Sequence, residues 1–488
     1  MGCTSNNATP PGPAVAPGAE DIDPRRVAER LALEHGPGGM DPRVAAFVPG
    51  FDAPFFQAGL AGYSDAAMRI IARRHGCPYC VTEALLDRTL LAGGRGFAKA
   101  DLGDLHDNVP GGAEDAPLCG QLMGSDPKEM AIAALKMAEQ GRRHDRDYRR
   151  LAYDGATTHD PSQRPAHLRL PGGEQLGRVA VEDEPQSGAA ANGCRGLTDA
   201  QRREGHAPVS RSAAWPSPGS PAQTTAPSQA AAPQTHTDSF ASIDVNLACP
   251  VKKISRKARG GHWLAEPEGA IAMLEAVREA VPAEIPCTLK IRRSFDDTPD
   301  MIESFWKIVD AAYSMGYAWA TIHGRTVEQK YVGPSRWDLL RQIVRQLRAQ
   351  HPDCIVFGSG DGWGVGDIFR MIEFTGVNGA SVARGCIGNP WIFRQARDLL
   401  AGREPLPPTV AEQRAVLEDH FELALAVNAS CRKPEVYTGR VMRKFGIRFA
   451  EHHPRGEEVR VRFTRVASME DWRAVLDEWY TPDFEPEG

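Results

Sequence analysis

Three side chains with chemical potential fall at comparable places in successive apolar runs of this sequence. Cys249 lies in the loop NLACPVKK, followed by Pro250 and then by Lys252, Lys253, Arg256 and Lys257. Cations around an exposed thiol lower its pKa, so Cys249 is suited to act as a nucleophile or a general acid. Lys290 sits inside the apolar run CTLKI, and His323 ends the run AWATIH. Apolar neighbours on both sides make a merely solvent-seeking lysine a poor explanation of Lys290. A cation and an imidazole on neighbouring strands suit the stabilisation of an electron-rich ring or a carbonyl oxygen.

Positioning these groups requires a regular frame, and the sequence supplies one. Apolar or β-rich runs occur at 55–58, 79–83, 117–122, 242–247, 286–291, 318–323, 354–358 and 379–383. Seven precede clear helical patterns; the helix after the second run, within ALLDRTLLAGG, is weak. Strands that are apolar without strict alternation, separated by helices, imply a parallel sheet covered on both faces. Eight such units predict an α/β fold, a closed (β/α)8 TIM barrel, with a doubly wound open sheet as the alternative. No GxGxxG follows a strand, and the glycines of GSGDGWGVG are spaced wrongly for a dinucleotide fingerprint.

In a barrel, chemistry belongs at the C-terminal strand ends. Those ends read Gln57-Ala58, Glu83, Gln121, Asn246 before Cys249, Lys290 with Arg292, His323 with Arg325, Gly358-Ser359-Gly360-Asp361, and Ala383-Arg384-Gly385. So many polar residues on one rim predict a functional pocket. The last two loops are glycine-rich, as expected where backbone N–H groups and a helix N-terminus hold a phosphate. Arg384 would add charge-assisted bonds to it.

Composition bounds what else the chain can be. It has 488 residues, a formal charge of −6, 42% hydrophobic residues and ten cysteines. That excludes full disorder and a surface basic throughout. No run of 18 apolar residues occurs, so no membrane association is expected. The opening MGCTSNNATPPG lacks the features of a secretory signal, and Asn6 stands where a myristoylation pattern needs Ser or Thr. Cys77 and Cys80 form a CxxC with no second pair at zinc-ribbon spacing; two packed cysteines and no metal are expected. Cysteine usage matches reduced thiols and a cytoplasmic location. Residues 1–50 are expected to form a flexible tail with a modest helix signal after Asp23, and 51–405 the barrel. An insertion, 141–240, is rich in Pro, Ser, Ala and Gln and is expected to be disordered, with DYRRLAYDG its only faintly ordered piece. It replaces a helix-to-strand turn between the third helix and the fourth strand, which places it opposite the pocket. Residues 406–488 read as helices, and 431–468 hold ten Arg or Lys against four Glu.

Several motifs are specific in combination. QAGLAGYSDAAMR (57–69), VTEAL (81–85), GQLMGSDPKEM (120–130), DVNLACPVKK (244–253), LKIRRSFDD (289–297), IHGRT (322–326), FGSGDGW (357–363) and ARGCIGNPWIF (383–393) resemble, in order and spacing, the tRNA-dihydrouridine synthases. The resemblance implies an FMN enzyme that reduces a tRNA uridine to 5,6-dihydrouridine with NADPH as reductant, with hydride delivered to C6. It implies that Cys249 protonates C5 and that Gln121, Lys290 and His323 contact the flavin. Gly360, Arg384 and Gly385 match positions at the flavin phosphate, and Asn246 and Arg325 match positions near the uracil. With the strand-end reading, Ala58, Gly358, Ser359, Asp361 and Ala383 join the expected FMN site, and Glu83 and Arg292 the expected substrate side. The basic C-terminal helices are the expected tRNA-binding domain of a monomer. Gly59, Ala248, Ser359 and His262-Trp263 depart from the family pattern, which bears on target position more than on reaction type. Two other readings stay open: an FMN barrel acting on a free pyrimidine or another small enone, and a non-catalytic RNA-binding barrel.

Overall fold

The computed structural model describes residues 16–91, 112–139, 145–153, 240–251, 259–429 and 431–481. Its strands are β1 (Phe55–Gln57), β2 (Cys80–Val81), β3 (Leu85–Leu86), β4 (Leu118–Met123), β5 (Ser242–Leu247), β6 (Cys287–Arg292), β7 (Trp319–His323), β8 (Ile355–Ser359) and β9 (Gly379–Val382). Apart from β3, they pair in parallel in chain order, and β9 returns to β1 through Phe55↔Ala380, Phe56↔Ser381 and Gln57↔Val382. That last pairing closes the sheet and excludes the open alternative. The fold is a (β/α)8 barrel in which β3 is a two-residue addition beside the end of β4.

All eight expected runs are strands, and all seven expected helices are present. Their starts follow local chemistry. Asp65 and Asp126 accept backbone N–H groups at the first turns of Ala66–Arg74 and Pro127–Ala138, and Pro127 opens the second of these. The weak helix in ALLDRTLLAGG comprises Asp87–Leu91; the end of that motif lies outside the described residues.

The strands differ from expectation in one respect that matters for the site. β5 reads S-I-D-V-N-L and β6 C-T-L-K-I-R, and both alternate. Ile243, Val245, Leu247, Leu289 and Ile291 pack outward on the helices. Ser242, Asp244 and Thr288 make their hydrogen bonds to inward-pointing groups of neighbouring strands. The barrel interior therefore changes character along its axis. At the N-terminal end it is aromatic: Phe51 stacks on Tyr79 (centroids 4.5 Å, 9°) and Phe357 (5.6 Å, 14°), with Phe56 and Trp319 edge-on. Tyr79 Oη meets Ser242 Oγ at 2.5 Å, and polar groups continue from there to the mouth.

Residues 16–50 are not a flexible tail. Asp23 with Pro24 and Asp41 with Pro42 start helices Pro24–His35 and Pro42–Phe47. Val27, Ala28 and Leu31 bury against the outer helices, while Met40, Val44, Val48 and Phe51 close the aromatic end of the barrel. Leu33 and Phe47 stay exposed, but these seven residues are almost fully withdrawn from water, which is enough to order the segment. Residues 1–15 lie outside the described residues.

The expected disorder of 141–240 is also corrected at its start. Asp145–Tyr153 is a helix; Tyr148 is buried, its Oη donates to Glu139 Oε2 at 2.7 Å, and its ring lies 5.6 Å from Lys136 Nζ. The rest of that stretch, 154–239, lies outside the described residues. Tyr148→Phe is expected to cost about 1 kcal/mol of stability in urea titrations, because the half-buried Glu139 carboxylate loses the tyrosine's hydrogen bond. A change below a few tenths would show that this helix is undocked in solution.

The C-terminal helices are Val410–Val427, Pro434–Phe449, Gly456–Phe463 and Met469–Trp479. Leu417 and Phe421 are buried, and the first of these helices packs on Ala66–Arg74, where Arg74 and Asp419 form an ion pair. Among the described residues no helix is long and apolar enough to cross a membrane.

Candidate active site at the barrel mouth

Lys290 occupies the centre of the mouth. Its Nζ is buried and has no hydrogen-bond partner among the described residues, and burial, aided by Arg292, lowers its pKa to about 7. A buried amine without a partner is costly unless a bound group satisfies it. His323 lies on the adjacent strand beside Arg292 and Ser359. Its Nδ1 accepts the Arg325 N–H at 3.1 Å, so the ring proton sits on Nε2. Burial first, then the cations Arg292, Lys290, Arg325 and Arg384, hold its pKa well below the usual value. His323 is therefore a neutral donor at physiological pH.

Cys249 is half-buried on the loop after β5, and its thiol is free of any disulfide. The loop is clamped from several sides. Asn246 Oδ1 accepts the Ala248 N–H at 2.9 Å, Arg292 Nε donates to Ala248 O at 2.8 Å, and Gly261 N donates to Cys249 O at 2.9 Å. Arg292 also donates to the carbonyls of Thr326 and Lys330, tying this loop to the one after β7. Expected on the substrate side, Arg292 is mostly committed to backbone. The cations Lys252, Lys253, Arg256 and Lys257 lie outside the described residues.

Gln121 Oε1 accepts Asn246 Nδ2 (2.8 Å), while Gln121 Nε2 donates to Asp244. Arg325 is buried: its Nε and Nη2 donate to Gly333 O, Nη2 also bonds Asp361, and Nη1 is buried with no partner among the described residues. Asp361 accepts the Ser335 N–H at 2.6 Å and lies 3.6 Å from Arg384, so its carboxylate is already occupied by protein cations. Arg384 is partly exposed and stacks on Trp363 (4.4 Å) and Tyr331 (5.4 Å). At Gly360, φ is +108°, and a Cβ would lie 2.5 Å from Ser335 Oγ; at Gly385 it would lie 2.3 Å from Gly362 O. Both positions thus demand glycine.

Ala58 donates its N–H to Val382 O, Ala383 precedes the short 3₁₀ turn Arg384–Cys386, and Ser359 is buried beside His323. Glu83 is half-buried just past β2. Gly358 sits lower: a Cβ there would lie 2.6 Å from Met371 Sδ, so its α-carbon faces the surrounding helix. Of the departures, Gly59 has no room for a Cβ, which would lie 2.3 Å from Thr82 O. Trp263 is buried and donates to Gly124 O, pinning the turn after the Cys249 loop. Cys77 and Cys80 are buried thiols 3.8 Å apart, as the sequence suggests.

Sequence reasoning missed Asp244, Thr288, Ser335, Tyr331 and Trp363. For Asp244 and Thr288 the signal was present, as polar residues on alternate positions of otherwise apolar strands. Ser335 carried none, since its hydroxyl reaches the mouth through loop geometry.

The mouth of this (β/α)8 barrel thus gathers a buried amine with no partner among the described residues, a neutral imidazole donor, a tight glycine cradle beside an arginine and an anchored thiol. The chain belongs to the dihydrouridine synthase family: the profile described as "Dihydrouridine synthase (Dus)" matches residues 221–480. It is 29% identical over 238 residues to a "Probable tRNA-dihydrouridine synthase" of Mycobacterium leprae, covering 48% of this chain and 59% of that one. A protein of the same description from Treponema pallidum is 32% identical over 241 residues, with 48% and 67% covered. "tRNA-dihydrouridine synthase B" of Pseudomonas putida is 32% identical over 241 residues, with 48% and 64% covered. The chain thus spans about three fifths of the length of the first of these relatives.

Proposed function

We propose that this chain reduces uridine in tRNA to 5,6-dihydrouridine, using FMN at the barrel mouth and NADPH as reductant. The observation that carries the reading is the unpartnered Lys290 amine at a mouth that also holds neutral His323 and anchored Cys249. The residues fit a flavin mononucleotide. Lys290 Nζ and His323 Nε2–H are donors for the electron-rich edge of the ring, and the loops at Gly360 and Arg384-Gly385 offer backbone N–H groups and a cation for the phosphate. Bound reduced FMN supplies hydride to uracil C6. The chain's own part is then to hold the extruded base and to deliver a proton to C5 from the Cys249 thiol, which the Arg292 clamp keeps at the mouth.

The tRNA surface is proposed on the helix Pro434–Phe449. Lys444 donates to Gly62 O and lies over the Tyr63 ring, so this helix rests on the loop after β1, at the mouth. Of the ten cations, Arg448, Arg455, Arg460 and Arg462 pair with Glu451, Glu458, Glu457 and Glu478. Arg432, Lys433 and Arg440 are exposed and form no ion pair among the described residues. Reversing these three to Glu is expected to weaken tRNA binding about tenfold or more and to flatten its salt dependence by about two to three phosphate contacts. Filter binding across a salt series measures both; an unchanged slope would move the RNA elsewhere.

The direct test is to assay the purified, flavin-loaded protein with tRNA lacking dihydrouridine and NADPH. Appearance of dihydrouridine is the expected result. A colourless protein that does not bind FMN, or an active flavoprotein that reduces only free pyrimidines, would overturn the reading.

A further inference from the structure

Asp244 is a buried carboxylate below the mouth that the proposed chemistry does not use. Its Oδ1 accepts the Thr288 hydroxyl at 2.6 Å, and its Oδ2 accepts Gln121 Nε2 at 2.8 Å. Burial raises its pKa to about 6, so it is still mainly ionised at neutral pH, and an ionised carboxylate has no proton to donate. Gln121 must therefore present its amine to Asp244 and its carbonyl oxygen to the other side, where it accepts Asn246 Nδ2 at 2.8 Å. Asn246 is oriented in turn: its Oδ1 is left to accept the Ala248 N–H at 2.9 Å, next to Cys249. Each amide could flip if taken alone. Together they run in one direction, held at one end by the Asp244 carboxylate and at the other by the Ala248 N–H.

We propose that Asp244 is a positioning residue that fixes the donor polarity of Gln121 and Asn246 and, through the Ala248 peptide, the placement of Cys249. The proposal deepens the function given above and rests on it. One consequence concerns the base. With one N–H on Gln121 and its oxygen on Ala248, Asn246 has a single polar hydrogen uncommitted to the described residues. That hydrogen matches a pyrimidine carbonyl oxygen; set against C4 of the base it would oppose cytosine's amino group and so favour uracil.

The test uses the full-length, flavin-loaded protein with Asp244→Ala and Asp244→Asn. An asparagine can accept from Gln121 and donate to Thr288, so it preserves the direction of the chain; alanine cannot. Asp244→Ala is expected to keep bound flavin, to lose about tenfold in kcat with KM for tRNA within about twofold, and to change the rate of Cys249 alkylation by iodoacetamide by about threefold or more. Asp244→Asn is expected to restore both to within about threefold of wild type. If the alanine variant does not fold, Asp244→Val, which fills the space and suits a strand, takes its place with the same expectations. Wild-type kcat and alkylation rate in the alanine or valine variant would overturn the proposal, as would an asparagine variant as impaired as alanine. Alkylation is read by peptide mass spectrometry and needs no turnover. If the wild-type protein proves inactive on tRNA, the function reading fails while the alkylation arm still decides the role of Asp244.

Discussion

Cys249→Ala is expected to leave bound FMN and thermal stability unchanged and to lower uridine reduction by about 10²–10⁴-fold, the range for removal of a positioned general acid. Retention of flavin follows from the structure. The loop is held through its backbone: Ala248 by Asn246 and Arg292, and the Cys249 carbonyl by Gly261. The loss follows from chemistry, because hydride addition at C6 leaves negative charge that must be quenched at C5. Flavin re-oxidation by tRNA, followed in a stopped-flow instrument, separates the two. A variant that turns over at the wild-type rate would remove Cys249 from its role.

Lys290 sets the second expectation. Burial lowers its pKa to about 7, against an ordinary value of 10.5. In the flavin-free protein the amine is therefore mostly neutral above pH 7, although an exposed lysine would still be charged. An electron-rich ring edge at Nζ favours the ammonium and raises the pKa again, so FMN binding takes up a proton in the window between pH 7 and 10.5. The sign is then fixed: affinity for FMN falls as pH rises from 7 to 9, with a slope of up to about tenfold per unit. The FMN phosphate is already ionised over this range and does not contribute. His323, held neutral throughout, adds nothing. Lys290→Met is expected to weaken FMN binding at pH 7 by about ten- to hundredfold, by loss of a charge-assisted hydrogen bond, and to flatten the pH dependence. Quenching of FMN fluorescence on titration into stripped protein measures both. An undiminished slope in the methionine variant would place the titrating group elsewhere.

Much of the barrel was legible in the sequence because each strand is a compact, largely apolar run and most helices open on an Asp or Pro signal that local chemistry suffices to read. Two things escaped it. The bottom of the barrel is sealed by Met40, Val44, Val48 and Phe51, scattered among Pro, Gly and charged residues, and their value lies in where the chain places them, not in their periodicity. At Tyr148 it was the docking and not the faint order of DYRRLAYDG that escaped, since one buried aromatic holds an otherwise polar segment. At the site, the residue types on the rim were readable, but their commitments were not. Arg292 and Arg325 look alike as rim cations, yet one clamps backbone carbonyls and the other pairs with Asp361. The basic count of the C-terminal helices likewise overstated the available charge, because four arginines are matched by nearby glutamates, one of them contributed by a different helix.

Closure of the barrel through Phe55 and Ala380 has a consequence for folding entropy. No stretch of chain that stops short of β9 can satisfy both edges of β1, so the sheet is completed only by joining segments very distant in sequence. The residues of 141–240 lie within that span, yet the entropic cost of bringing two points together grows only with the logarithm of the chain between them. Lengthening the loop by that much raises the cost of the final join by about 0.3 kcal/mol. An insertion of this size thus weighs little on the final join; the β4–β5 pairing that spans it directly bears more, about 1.6 kcal/mol.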